Sequence, residues 1–228
     1  MVAEQKPLAP PEVRKTPPKI KKIGPPLDDD KILTASSGSG FAVSSDGYVV
    51  TNHHVINGCA KVFIHTNGKA MPSDVVDNDR QNDIALLKAR FKPEAVLPIS
   101  NKRPELLQKI YVAGYPFGKK VSSSLKVTDG IISSLTGVQD NHTRIQITAA
   151  MQSGNSGGPI LGVDGNVVGV AVSKLDLKFA LENLGSIPEN TNFGIKSSVV
   201  GSILASNGVT TPPANQKQIG RASCRERV

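Results

Sequence analysis

Short runs of β-branched and aromatic residues, each stopped by a turn signal, leave this chain few folds to choose from. Phe41-Ala42-Val43 gives way to Ser45-Asp46-Gly47 and resumes as Tyr48-Val49-Val50, a hairpin turning at Asp-Gly. Lys61-Val62-Phe63-Ile64-His65 runs into Asn67-Gly68, a second hairpin, and Asp164-Gly165 marks a third tight turn. Further strands are expected at 84–89, 109–115, 124–134, 144–149, 158–161 and 167–173. Strands this close together, with few helical periods between them, predict an all-β sandwich or barrel. One short C-terminal helix is expected. Ser197 or Ser198 caps it, Val199, Val200, Ile203 and Leu204 form its stripe, and Asn207-Gly208 stops it.

The two ends differ from this body. Residues 1–30 read as a disordered Pro/Lys-rich arm, since 1–27 hold seven of the 16 prolines and a net charge of +4. The last eleven residues, 218–228, carry +2 and fit nothing before them. Back-translated, they resemble a short-read sequencing adapter in frame, and are expected to be an artefact outside the fold. Residues 28–217 therefore keep only +2 of the total +8, so charge marks no nucleic-acid face. No window approaches the ~18 consecutive apolar residues of a membrane-spanning helix. The first 30 residues show no apolar core of a signal peptide. Without the tail, Cys59 is a lone thiol.

Three polar segments interrupt the apolar pattern. They are Thr51-Asn52-His53-His54-Val55, Asn82-Asp83-Ile84-Ala85-Leu86-Leu87 and Gly154-Asn155-Ser156-Gly157-Gly158-Pro159. A serine hydroxyl is a weak nucleophile until a positioned base takes its proton. Histidine suits that task near neutral pH, and a carboxylate at its other nitrogen fixes the tautomer. Glycines beside the serine permit a tight turn that aims N–H groups at a developing oxyanion. His54, Asp83 and Ser156 are the candidate catalytic residues, with the Gly154-Asn155-Ser156 turn as oxyanion hole. The N–H groups of Gly154 and Ser156 are its expected donors. Any one segment alone has an ordinary structural reading. Together, in an all-β chain, the order His, Asp, Ser is that of a chymotrypsin-type triad.

These segments, with Ser39-Gly40-Phe41, Gly114-Tyr115-Pro116-Phe117-Gly118 and Asn192-Phe193-Gly194-Ile195, resemble the trypsin-like domain of the high-temperature-requirement (HtrA/Deg) serine proteases. The resemblance covers about residues 36–208. It implies a chymotrypsin-like double β-barrel, with an N-terminal barrel at 31–112 and a C-terminal barrel at 113–209. The Thr-Asn-x-His-Val pattern places the catalytic histidine at His54 and leaves His53 in the variable slot. The family also implies polypeptide substrates, protein quality control, a homotrimer and an extracytoplasmic location. Its members usually carry C-terminal PDZ domains, which related stand-alone bacterial trypsin-like peptidases lack; here Thr210-Thr211-Pro212-Pro213-Ala214-Asn215 begins a linker stub, 210–217.

In such folds the chain before the nucleophile lines the primary pocket. Ala149, Ala150 and Met151 are expected there, with Val172 on the next wall. No acidic residue lies in this stretch, so cleavage after small aliphatic side chains is expected rather than after Lys or Arg. Serine–histidine chemistry needs no cofactor, and no cluster has metal-ligand spacing. The alternative to an endopeptidase is a chaperone-like or binding module on the same fold.

Overall fold

The computed structural model describes residues 36–116, 124–172 and 192–216. The arm at 1–30 and the tail at 218–228 lie outside the described residues. The described residues belong to one compact unit, Thr34–Val228.

Two sets of strands build this unit. The first holds β1 (Phe41–Ala42), β2 (Tyr48–Thr51), β3 (Val62–Thr66), β4 (Lys69–Asp79) and β5 (Ile84–Ala89), in the order β1-β2-β5-β4-β3. The second holds β6 (Lys109–Gly114), β7 (Lys126–Ser134), β8 (Arg144–Ile147), β9 (Pro159–Gly162), β10 (Val167–Val172) and β11 (Asn192–Lys196). These six close into a barrel in the order β10-β11-β8-β7-β6-β9. β6 spans the 112/113 boundary drawn from the sequence and pairs wholly within the second set.

The turn signals work as expected. Phe41 pairs with Val50 across the first hairpin. Gly47, at φ +96°, packs where a Cβ would collide with the Ala89 carbonyl, so no other residue fits. Asn67 and Gly68 both have positive φ, the twist that suits a two-residue β3–β4 hairpin. β4 tolerates Pro72 because its pairing with β5 begins only at Ser73.

Two local expectations need correction. The C-terminal helix, Ser197–Ser206, is capped by Lys196, not by Ser197 or Ser198. β11 runs straight into it, so the last strand residue already has the extended backbone of a cap (φ −60°, ψ 146°). It ends at Asn207-Gly208 as expected, with Gly208 at φ +65°. A second, one-turn helix was not expected: α1, His53–Ile56. The C-terminal helix is accordingly α2. Past the helix, the segment 210–216 touches the second strand set through Asn215. Asn166 grips the main chain of Asn215 from both sides, its Nδ2 donating to Asn215 O (2.8 Å) and its Oδ1 accepting from Asn215 N (2.7 Å).

The core has three parts. Phe41, Val43, Val50, Ile84 and Leu86 of the first set meet Val167, Val170, Val172 and Ile195 of the second, with Val200, Ile203 and Leu204 of α2. Ile110, Val112, Ile132, Ile145, Ile147 and Ile160 fill the closed barrel. A smaller cluster of Val49, Ile56, Ala85 and Leu87 anchors α1 to the first set. Each fully buried Ile or Leu contributes about 1.5–3 kcal/mol. The loops that carry the polar segments therefore hang from two strand sets packed on a shared apolar seam.

Candidate active site

The end of β2 and the start of β5 bring His54 and Asp83 together. β2 pairs with β5 with Thr51 opposite Ala85, so the residues just beyond each strand end are neighbours. Asp83 has φ +63°, an unusual conformation for a residue with a side chain. It is held there by four hydrogen bonds to one segment. Its main-chain carbonyl accepts from Asn52 Nδ2 (2.9 Å) and His53 N (3.2 Å). Its Oδ1 accepts from His54 N (2.9 Å), and its Oδ2 lies 2.8 Å from His54 Nδ1. The pair is partly sheltered, with 29% of the His54 side chain and 15% of the Asp83 side chain exposed. Two carboxylate oxygens thus fix both the backbone and the ring of the histidine. Nδ1 faces the carboxylate, and Nε2 lies on the other side of the ring.

The turn entering Asp83 has its own brace, which the sequence reading missed. Asp79 accepts from Asn82 N (2.9 Å) and Asn82 Nδ2 (2.6 Å). The Asn82 side-chain hydrogen bond, more than any other cause, holds the Asp79 carboxyl below the usual carboxylate range. The signal was present as an Asp-x-x-Asn spacing ending beside Asp83.

Ser156 sits between β8 and β9 on a turn set by glycines. Gly154 has φ +103° and Gly157 φ +86°. Gly157 N donates to Ala171 O (2.9 Å), and Ala171 N to Gly158 O (2.8 Å), which staples the turn to β10. A Cβ on Gly157 would collide with the Ser39 carbonyl and Thr51 Oγ1, and would crowd Asn52 N at 3.0 Å. The backbone beside Ser156 therefore docks on the segment that carries His54. Ser156 is nearly buried, at 4% exposure. His53, the residue in the variable slot, has both ring nitrogens buried and without a partner among the described residues.

The expected pocket residues separate. Ala149 and Met151 pack with the apolar filling of the closed barrel, and Ala150 is exposed. The chain here is pinned to β7, with Thr128 Oγ1 donating to Ala150 O (2.8 Å). Val172 does not join them: its side chain lies in the seam between the two strand sets. Ala171, one residue earlier, shares the cluster of Ala149 and Met151. Adjacent strand residues point to opposite faces, so Ala171 faces the barrel interior and Val172 the seam. Among the described residues, no group of three or more His, Cys, Asp or Glu is arranged to hold a metal.

A carboxylate-steadied imidazole and a serine on a glycine-bordered turn, carried by two packed β units, define a serine peptidase domain. Residues 38–170 match the trypsin-like peptidase domain, and the chain belongs to that family. Within it the chain is HtrA/Deg-like. It is 29% identical to the serine endoprotease of Yersinia pestis, whose crystal structure superposes with a TM-score of 0.59 over 74% of this chain and 56% of that one. This likeness confirms the all-β double-barrel fold. The chain is also 36% identical to the uncharacterized protein y4bJ of Sinorhizobium fredii over 194 residues, covering 85% of this chain and 31% of that protein. It is 37% identical to a probable periplasmic serine endoprotease, DegP-like, of Chlamydia muridarum over 142 residues, covering 60% of this chain and 28% of that one. The chain thus spans about a third of the length of these two relatives.

Proposed function

We propose that this domain is a serine endopeptidase that cuts unfolded or exposed polypeptide segments through an acyl-enzyme on Ser156. The observation that carries the reading is the two-oxygen grip of Asp83 on His54, at 2.9 and 2.8 Å. With Nδ1–H held by the carboxylate, Nε2 is left as the base. Ser156 Oγ attacks the scissile carbonyl as its proton passes to Nε2. The N–H groups of Gly154 and Ser156 stabilise the oxyanion. The tetrahedral intermediate collapses as His54 returns the proton to the leaving amine. Water, deprotonated by the same nitrogen, then hydrolyses the ester on Ser156.

We further propose cleavage after small or branched aliphatic residues. The apolar stretch Ala149-Ala150-Met151 ahead of the Ser156 turn supports this, with no acidic side chain in it. The relatives described as periplasmic support an extracytoplasmic setting. Cleavage of fluorescently labelled casein by the chain and by Ser156→Ala tests the reading. Turnover that disappears in the variant, with cuts mapping after Ala, Val, Leu or Ile, is expected. Equal turnover by the two proteins refutes Ser156 as the nucleophile, and no turnover by either leaves a binding module on a peptidase fold. Cuts mainly after Lys or Arg refute the pocket.

A further inference from the structure

A single small residue outside the triad ties together the three segments that carry Thr51, Tyr115 and Ser156. Ser39 lies in the extended segment before β1, between Gly38 and Gly40, and is 5% exposed. Its Oγ donates to Gly154 O (2.7 Å) and accepts from Tyr115 N (2.9 Å), in the loop after β6. Its main-chain N–H donates to Ser156 O (2.8 Å). Its main-chain carbonyl accepts from Thr51 Oγ1 (2.7 Å), three residues before His54.

The need for such a residue follows from the turn itself. Gly154 has no side chain and sits at φ +103°, so the turn has little intrinsic preference for one orientation of the peptide that follows. Aiming its N–H groups at an oxyanion takes an external hold, and its carbonyl has one in Ser39 Oγ. Space around that hold is closed. A Cβ on Gly114 would press on Ser39 Oγ at 2.9 Å and on Asn155 Oδ1 at 3.1 Å, and one on Gly38 would lie 2.9 Å from Ser156 O. The glycines on both sides let the three backbones approach closely enough for one hydroxyl to bridge them.

We propose that Ser39 is a positioning residue for peptide-bond cleavage: its hydroxyl fixes the Gly154–Asn155 peptide and thereby the oxyanion-binding N–H groups. The inference rests on Ser156 being the nucleophile. It goes beyond the triad, because Ser39 touches neither the reacting atoms nor the base.

Ser39→Ala removes only the two side-chain bonds, since the bonds to Ser156 and Thr51 use the main chain. Deleting an oxyanion donor outright costs roughly 100- to 1000-fold in turnover; loosening one is expected to cost about 10- to 100-fold. The loss falls on kcat, with KM for labelled casein within about two-fold, because the interaction matters most in the transition state. Phosphorylation of Ser156 by diisopropyl fluorophosphate, in which the serine oxygen displaces fluoride, reads the same geometry without a substrate pocket. Its rate is expected to fall in parallel, and the pH midpoint of the rate to stay put because the His54–Asp83 pair is untouched. All rates are taken per mole of folded protein, roughly 20 °C below each variant's own melting midpoint. Unchanged kcat and labelling rate in Ser39→Ala overturn the proposal. So does a loss that appears in KM or moves the pH midpoint, and so does a variant that does not fold, since each makes Ser39 merely structural. An unaltered chain that takes no label at Ser156 overturns the nucleophile reading, and the proposal with it.

Discussion

Replacing Asp83 with asparagine keeps the size of the side chain and changes the meaning of one hydrogen bond. In the native site, Oδ1 accepts from His54 N and Oδ2 faces His54 Nδ1. The backbone N–H of His54 can only donate, so the substituted amide must turn its oxygen toward it. Its NH2 group then faces Nδ1 at about the native 2.8 Å, and Nδ1 has to accept. The ring proton moves to Nε2, the nitrogen that should receive the proton of Ser156. Loss of the correct tautomer in sites of this kind costs about 10⁴ in kcat. That is roughly 5 kcal/mol of transition-state stabilisation. Stability should change little, since both hydrogen bonds survive, the one at Nδ1 with its donor and acceptor exchanged. Labelled-casein turnover and thermal melting of Asp83→Asn check this together. A fall of less than ten-fold in turnover, with the fold intact, would refute the tautomer reasoning.

Three further outcomes follow from the geometry. His53→Phe should keep most casein turnover and lose no stability, because the native ring buries two nitrogens that have no partner among the described residues; His54→Ala should lose turnover, and equal losses in the two would move the base assignment. Gly157→Ala should lower the melting temperature sharply and stop turnover, since a Cβ there meets Ser39 O and Thr51 Oγ1 at φ +86°. The Asp79 carboxyl is held below its unfolded value of 3.8, so its contribution is fully present above that value and is lost as pH falls through the lower folded one. The stability of the chain to chemical denaturation should therefore exceed that of Asp79→Ala at neutral pH, and the two should converge in acid; a gap of unchanged size in acid would contradict the assignment.

Much of the architecture was legible because its signals are local. Asp46-Gly47, Asn67-Gly68 and Asp164-Gly165 announce turns through the φ angles that those residues tolerate. The apolar runs between them need only the next turn to become strands. His54, Asp83 and Ser156 stood out because each is polar chemistry set against an apolar strand or a glycine pair. The parts that stayed hidden depend on tertiary contacts. β10 is buried on both faces, so Val167 to Val172 carries no alternation, and nothing in the sequence assigns Ala171 rather than Val172 to the barrel interior. α1 is one turn long, too short for any periodic signal. Ser39 reads as an ordinary loop serine between glycines until Gly154 and Tyr115, 115 and 76 residues away, arrive beside it.

The central claim is that the bond is cut by way of an ester on Ser156. Incubation with p-nitrophenyl acetate, acid quench and peptide mapping by mass spectrometry tests it most directly. The account predicts a single acetyl group on Ser156, formed faster than it is released, and absent from Ser156→Ala and His54→Ala. Casein cleavage by Ser156→Ala at the unaltered rate, or an acetyl group that maps to another residue with Ser156 unmodified, would contradict it.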